Sequence, residues 1–198
     1  DKEKELTLNV GSVIMTNGGT VFDPSVYDTF GYRKSPNIVT SLEFERLSNA
    51  TGPTSGRLLK RDPGDPMKFT DPPRSVAILH CIGSRDRNYH EYCSRTCCSA
   101  TLQAACEIRE RYPATHVFEY YRDIRTYARG QEEYYERAGQ HNVTFFRFEP
   151  DNPPAIETSE SPEHPLKIKV VDTLTFGEEI EAEVRHDVIA FTTSVAEH

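Results

Sequence analysis

The chain has 198 residues, 36% of them hydrophobic and 27% charged, with a formal net charge of −8. That length suits one domain, or one and a fragment of another, and is enough to bury a real core. The acidic balance argues against a nucleic-acid or anionic-membrane partner, since phosphate binding needs a basic footprint, and no apolar run is long enough to span a bilayer.

The N-terminus, DKEKELTL, has neither the basic start nor the apolar centre of a signal peptide, and the missing initiator Met reads as a processed or excised piece. Five cysteines, four of them between positions 81 and 98, do not look like a secreted disulfide framework, which spreads an even set more widely. A reducing cytoplasm is the expectation. The sequons at Asn49 and Asn142 are then chance matches.

In chain order, ELTLNV (5–10) alternates and leads through Gly11 into SVIMT, which predicts a strand feeding a buried strand stopped at Asn17-Gly18-Gly19. The stretch to about 40 reads as loop. SLEFERLS (41–48) predicts a short helix, with Ser41 as cap and Leu42, Phe44 and Leu47 as apolar contacts. Residues 49–75, rich in Gly, Pro and charge, read as a linker without a core of its own.

From there the pattern changes. SVAILH (75–80) is a continuous apolar run of the kind found in buried parallel strands. A helix is expected over roughly 97–111, a strand at 115–121, a second helix at 132–139 closed by Gly139, and a third strand at 143–149. Strand and helix alternating at this spacing predict a doubly wound α/β unit with a parallel sheet. After 150, PLKIKVVDT and EEIEAEVRH flank a turn at Phe176-Gly177 and predict an antiparallel hairpin, and DVIAFTT (187–193) is apolar enough to rejoin the parallel sheet. That order resembles the pyridine-nucleotide domains of flavoprotein disulfide reductases.

The cysteines sit where strand 75–80 gives way to the next helix, the turn that holds the cofactor in nucleotide-binding α/β folds. A glycine-rich phosphate loop is missing there, and Cys81, Cys93, Cys97 and Cys98 take its place at the spacing Cys-x11-Cys-x3-Cys-Cys. Four thiolates suffice for a 4Fe–4S cluster, one per iron. Paired cysteines at a helix start gain amide donors and a positive dipole end, which lower thiol pKa values. A structural zinc site is the metal-bearing alternative, though zinc favours two Cys-x2–4-Cys knuckles and only Cys93 to Cys97 has that spacing. Unrelated or redox-active thiols are the metal-free alternative. His80 is read as ending a strand, His90 as solvated and Cys106 as a buried core thiol.

Three motifs in order, PNIVTSLEFERLSNATGPTSG, CIGSRDRNYHEYCSRTCCSATLQAA and YRDIRTYARGQEEYYERA, resemble the A subunit of heterodisulfide reductases and its relatives in the quinone-interacting complex of sulfate reducers and in sulfur oxidisers. The resemblance covers most of residues 8–149. It implies a thioredoxin-reductase-like flavoprotein core with FAD beside a 4Fe–4S cluster held by Cys81, Cys93, Cys97 and Cys98. It also implies electron passage between the flavin and partner iron–sulfur subunits of a heterodisulfide-reductase-like complex.

Two departures qualify it. The family's Gly-x-Gly-x-x-Gly flavin segment has no counterpart, so FAD needs a missing domain or a partner chain, and the family's Ala-Thr-Gly reads Thr16-Asn17-Gly18. Bifurcating members carry a lysine five residues after the paired cysteines, where this chain has Gln103. A neutral amide hydrogen-bonds a flavin without supplying the charge that stabilises its anion, which argues against flavin-based bifurcation. Gln103 as an ordinary polar helix residue is the plain alternative.

Asp123, Arg125 and Tyr127 follow the second strand, where α/β folds bind ligands, and match the family there. Fixing the loop, with Arg122 or Arg125 paired to carboxylates, is the favoured role over cofactor contact. Glu132, Glu133 and Glu136 read as a solvated helix face.

The domain expectation is a flavin-domain strand fragment (1–22), a linker with a short helix (23–72) and a degenerate nucleotide-binding domain with a β-meander and an iron–sulfur site (73–198). Asn17, Gly18, Gln103 and Arg125 are the expected flavin contacts. The competing function is a non-catalytic assembly module with a zinc or empty cysteine site.

Overall fold

The computed structural model describes all residues except 1, 2, 17, 160, 162, 176, 177, 194 and 198. The strands are β1 (Gly19–Val21), β2 (Ile38–Thr40), β3 (Ser75–Ile82), β4 (His116–Tyr121), β5 (Thr144–Arg147), β6 (Ala155–Thr158), β7 (Leu166–Thr175), β8 (Glu178–His186), β9 (Val188–Thr193) and β10 (Val195–Glu197). The helices are α1 (Ser41–Ser48), α2 (Cys97–Arg111) and α3 (Glu132–Gln140).

Five strands form a parallel sheet in the order β2-β9-β3-β4-β5. All eight residues of β3 are buried, because neighbouring strands flank it and layers cover both faces. Its side chains alternate between those layers. Val76 and Ile78 join Phe44, Leu47, Leu102, Ala105 and Ala138 on the helix-covered face. Ala77 and Leu79 join Leu166, Ile168 and Val170 of the antiparallel sheet β6-β7-β8 on the other. The expected α/β fold with a β-meander is therefore present, with α1, α2 and α3 packed into one face and the meander supplying the second layer.

Several local expectations change. Residues 3–16 form no strand, and Leu6, Leu8, Val10, Val13, Ile14 and Met15 are 63–87% exposed. Alternation creates an apolar face, but a strand also needs a partner edge for its N–H and C=O groups, and none faces this segment among the described residues. The strand lies later, at β1, paired antiparallel with β10. Strand β2 stands where loop was expected.

Thr40, not Ser41, caps α1. Its hydroxyl accepts from the Glu43 N–H, and the Glu43 carboxylate accepts from the Thr40 N–H. Leu42 is 56% exposed while Phe44 and Leu47 are buried. The linker is not coreless, since Leu58 and Thr54 are both buried. Gly139 lies inside α3, and the left-handed residue beyond the helix is Asn142, φ 58. The turn at Phe176-Gly177 lies outside the described residues.

Candidate metal centre

Strand β3 ends in an irregularity that aims a thiol. Its register against β9 shifts between Leu79 and Ile82, and Cys81 between them has a left-handed backbone, φ 63. For a non-glycine residue that conformation costs about 1–3 kcal/mol and persists only where surroundings over-determine it. Bulges of this kind re-aim side chains beside functional sites.

Gly83 follows at φ 72, and a Cβ there would meet Phe22 Cδ1 at 2.4 Å. The loop then closes on itself. The Arg85 N–H and Ser84 hydroxyl donate to the Tyr92 carbonyl at 3.0 Å each, and the Asp86 N–H donates to the His90 carbonyl at 3.0 Å. The Tyr27 hydroxyl donates to Asp86 at 2.7 Å and pins the loop from outside.

Cys81, Cys97 and Cys98 are buried and Cys93 is half-buried; all are free thiols. Each meets donors or cations. The Arg95 N–H donates to Cys93 Sγ at 3.4 Å, and Ser94 Oγ lies 3.2 Å from Cys97 Sγ. The Arg125 N–H donates to Cys98 Sγ. The N-cap of α2, Thr96, makes no side-chain cap hydrogen bond, and Cys97 and Cys98 occupy the first turn that it leaves uncapped. Thr101 braces that turn, its hydroxyl reaching the Cys97 carbonyl at 3.0 Å and that of Cys98 at 3.1 Å.

The thiols act on one another. Burial pushes Cys81 up to about 11; the neighbouring Cys97 adds to the rise, and Arg122 and Arg85 oppose it. Cys97 and Cys98 act on each other most strongly, lowering Cys97 and raising Cys98, so the two titrate as a pair. Among the described residues, no three His, Cys, Asp or Glu side chains converge on a point that one metal ion would occupy. Four thiolates suffice for a cluster that takes one per iron, so the donor set present is chemically suited to one.

Beneath the turn lies a feature the sequence did not signal. His80 Nε2 pairs with Glu119 Oε2, both side chains fully buried, and Thr101 Oγ1 lies 3.4 Å from the same nitrogen. His80 therefore does not end the strand, which runs on to Ile82, and it is half of a buried ion pair. Cys106 is buried among α2 and α3 as expected.

Beside Cys97 a cavity of about 570 Å3 opens between α1, α2, Ile78 in the middle of β3 and the carboxyl end of β9. Gln103 lines it and donates to Glu107 at 3.0 Å. The other expected flavin contacts are not brought there. Gly18 is exposed with open space around it, and Asn17 lies outside the described residues. Arg125 sits at the cysteine site instead, its Nε 3.7 Å from Asp123. Arg122 donates to the Arg85 carbonyl at 2.9 Å rather than to a carboxylate. Tyr127 is 66% exposed.

No protein-family model matches the chain. It is 37% identical over 173 residues, 86% of its length, to the A subunit of the H2:CoB-CoM heterodisulfide,ferredoxin reductase of Methanothermobacter marburgensis, covering 25% of that protein. Over 199 residues it is 37% identical to an iron-sulfur A subunit (the second of two) of the CoB–CoM heterodisulfide reductase of Methanopyrus kandleri, covering 98% of this chain and 28% of the relative. The iron-sulfur A subunit of the CoB–CoM heterodisulfide reductase of Methanocaldococcus jannaschii is 37% identical over 184 residues, 92% and 26% of the two chains. The chain thus spans about a quarter of the length of the curated relatives it matches. Over that aligned stretch, the chain is similar to the A subunits of heterodisulfide reductases.

Proposed function

We propose that this chain is an electron-carrying part of a heterodisulfide-reductase-like complex, holding a 4Fe–4S cluster on Cys81, Cys93, Cys97 and Cys98. The observation that carries this reading is the set of four mutually interacting thiols, three of them buried, each with a polar or cationic group beside it. When bound, such a cluster supplies a one-electron carrier. The protein's own work is to aim Cys81 through the bulge, present the first-turn amides of α2, and keep three of the thiols away from water. The names of two relatives, which describe iron–sulfur subunits, support the same assignment.

The cavity beside Cys97 is the place where a flavin ring would approach the cysteines, with FAD completed by a further domain or a partner chain. Gln103 then meets it as a neutral hydrogen-bonding group, tied to Glu107, and the chemistry there is not bifurcation. Partner iron–sulfur subunits in a cytoplasmic complex complete the proposal.

Anaerobic purification with iron, sulfide and zinc analysis and a visible spectrum tests it. Iron and sulfide with broad absorbance in the blue, lost in Cys97→Ser, are expected. Stoichiometric zinc, or a colourless protein from strictly anaerobic preparation, selects the second reading, an assembly module. The exposed apolar segment from Leu6 to Met15, suited to pairing with another polypeptide, favours that second reading.

A further inference from the structure

The Cys81 side of the thiol set is built from arginines. Arg85 acts electrostatically on Cys81 and ion-pairs Asp123 through Nη1, and only 24% of its side chain is exposed. Its backbone is held in a left-handed conformation, φ 56, with its N–H on the Tyr92 carbonyl at 3.0 Å and its own carbonyl taken by Arg122 Nη1 at 2.9 Å. Arg122 also acts on Cys81, and its Nε is buried without a hydrogen-bond partner. Arg125, which gives its N–H to Cys98, shares Asp123 at 3.7 Å. Two guanidinium groups therefore share one carboxylate, and a third acts on the same thiol. In a chain of net charge −8, this is a locally positive wall.

A strained loop residue, clamped at backbone and side chain, holds a half-buried cation on a thiol. An exposed solubilising arginine needs none of these constraints. The neighbouring Arg87 on the same loop is exposed and shows the contrast.

We infer that Arg85, held against Cys81 by Asp123, sets the redox potential of the group that these cysteines bind. The inference rests on the iron–sulfur reading above. One electron enters from a one-electron reductant, no bond forms or breaks, no proton is required, and the bound group gains one unit of negative charge. A cation fixed beside the thiol by the Asp123 ion pair stabilises that added charge, since the interaction falls off with distance and grows as water is excluded. Charge, hydrogen bonds to sulfur and exposure are the levers by which proteins tune such centres. Asp123 acts in the opposite sense electrostatically, while fixing the guanidinium in place.

The test is a dithionite titration with mediators, followed by electron paramagnetic resonance, on the anaerobically prepared chain and three variants with measured iron and sulfide. Arg85→Gln is expected to disfavour the reduced form about tenfold, a shift of about 59 mV to more negative potential for one electron. Asp123→Asn keeps an oxygen that accepts from Arg85 but removes the opposing charge, and is expected to shift the potential upwards. Arg87→Gln, exposed and screened by salt, is expected to leave it unchanged.

An unchanged or raised potential in Arg85→Gln with full iron content overturns the inference. Where Arg85→Gln holds no iron, Asp123→Asn decides: an upward shift supports the role, and no shift or a downward one refutes it. A shift in Arg87→Gln equal to that in Arg85→Gln also refutes it, because general surface charge then accounts for the effect. Absence of iron and sulfide from the unsubstituted protein is a separate outcome, one that removes the iron–sulfur reading itself.

Discussion

Two buried histidines respond to pH with opposite signs, and His186 offers the sharper test. Its side chain is fully buried, with Nδ1 2.8 Å from Ser75 Oγ, Nε2 2.8 Å from the Tyr120 hydroxyl, and Phe118 edge-on at 5.1 Å. Both partners are hydroxyls. A neutral ring donates from one nitrogen and accepts at the other, whereas a protonated ring loses its acceptor and gains a buried charge without a touching carboxylate. Burial, helped by nearby His164, pushes its pKa down from 6.5 to about 3.

Between those values the unfolded chain binds the proton and the folded chain does not. The contribution of His186 is therefore fully present above pH 6.5 and is lost as pH falls towards 3. The slope approaches about 1.4 kcal/mol per pH unit, so acidification from pH 7 to 4 removes about 3 kcal/mol. That is a large part of the roughly 5–15 kcal/mol that holds a domain folded.

For His80, burial works against the charged form, but the Glu119 carboxylate outweighs it and the pKa is raised. Its contribution is present below the unfolded value and is lost as pH rises through the folded one, so it does not add to the acid loss. Urea unfolding of the protein and of His186→Gln from pH 7.5 to 4.5, under anaerobic reducing conditions, separates the two residues. At pH 7 the glutamine variant is expected to be about 1–3 kcal/mol less stable. The gap should close as pH falls, because glutamine does not titrate. Parallel stability curves would falsify the assignment of His186 as a buried neutral histidine.

Leu102, fully buried on α2 among Phe44, Ile78 and Ala105, should lose about 2–5 kcal/mol of stability on Leu102→Ala, read as a lower urea midpoint with an unchanged slope. Thr40→Ala removes the hydroxyl half of the α1 capping box and should cost about 0.5–2 kcal/mol, with Thr40→Ser restoring most of it in the same assay. Gly83→Ala sets a Cβ against the Phe22 ring at a positive φ; it should destabilise by more than about 1 kcal/mol and reduce iron content, measured by thermal melting and iron analysis.

The elements legible in the sequence were those whose signal is local and long. The apolar run of β3, the stripe of α2 and the closing strand β9 announce themselves by periodicity and length, and each lies within a residue or two of its expected bounds. Strands β2 and β6 were not legible, since each is three or four residues long and exists through pairing with β9 or β7. Residues 5–16 failed for the converse reason, having the alternation of a strand without an edge to pair with. At the site, the cysteines were visible from spacing alone. The Arg85–Asp123 clamp and the His80–Glu119 pair join residues 38 and 39 positions apart, which only the side-by-side pairing of β3 and β4 brings together. The basic run Arg85-Asp86-Arg87 inside the cysteine loop was the one signal available for the clamp.

The cavity beside Cys97 explains physically why thiols, and not a dinucleotide, suit this turn. A bound pyrophosphate needs backbone amides at a glycine-rich turn, a helix start free to receive it, and commonly a nearby cation. Here the first turn of α2 carries two cysteines, and the cavity lining includes the carboxylates Glu45 and Glu107 but, among the described residues, no Lys, Arg or His. The cations lie on the other side of the thiol set, on Cys81, where Arg85 and Arg122 are committed to sulfur and to loop atoms. A doubly charged phosphate group entering the cavity meets repulsion without compensation, while an uncharged ring meets Thr101, Gln103 and Thr192 as hydrogen-bonding partners. The site is thus divided between a cationic wall suited to added negative charge on the thiolates and a cation-free cavity that disfavours phosphate. In a fold whose strand ends usually serve dinucleotides, that division suits the proposed electron carrier better than a dinucleotide site.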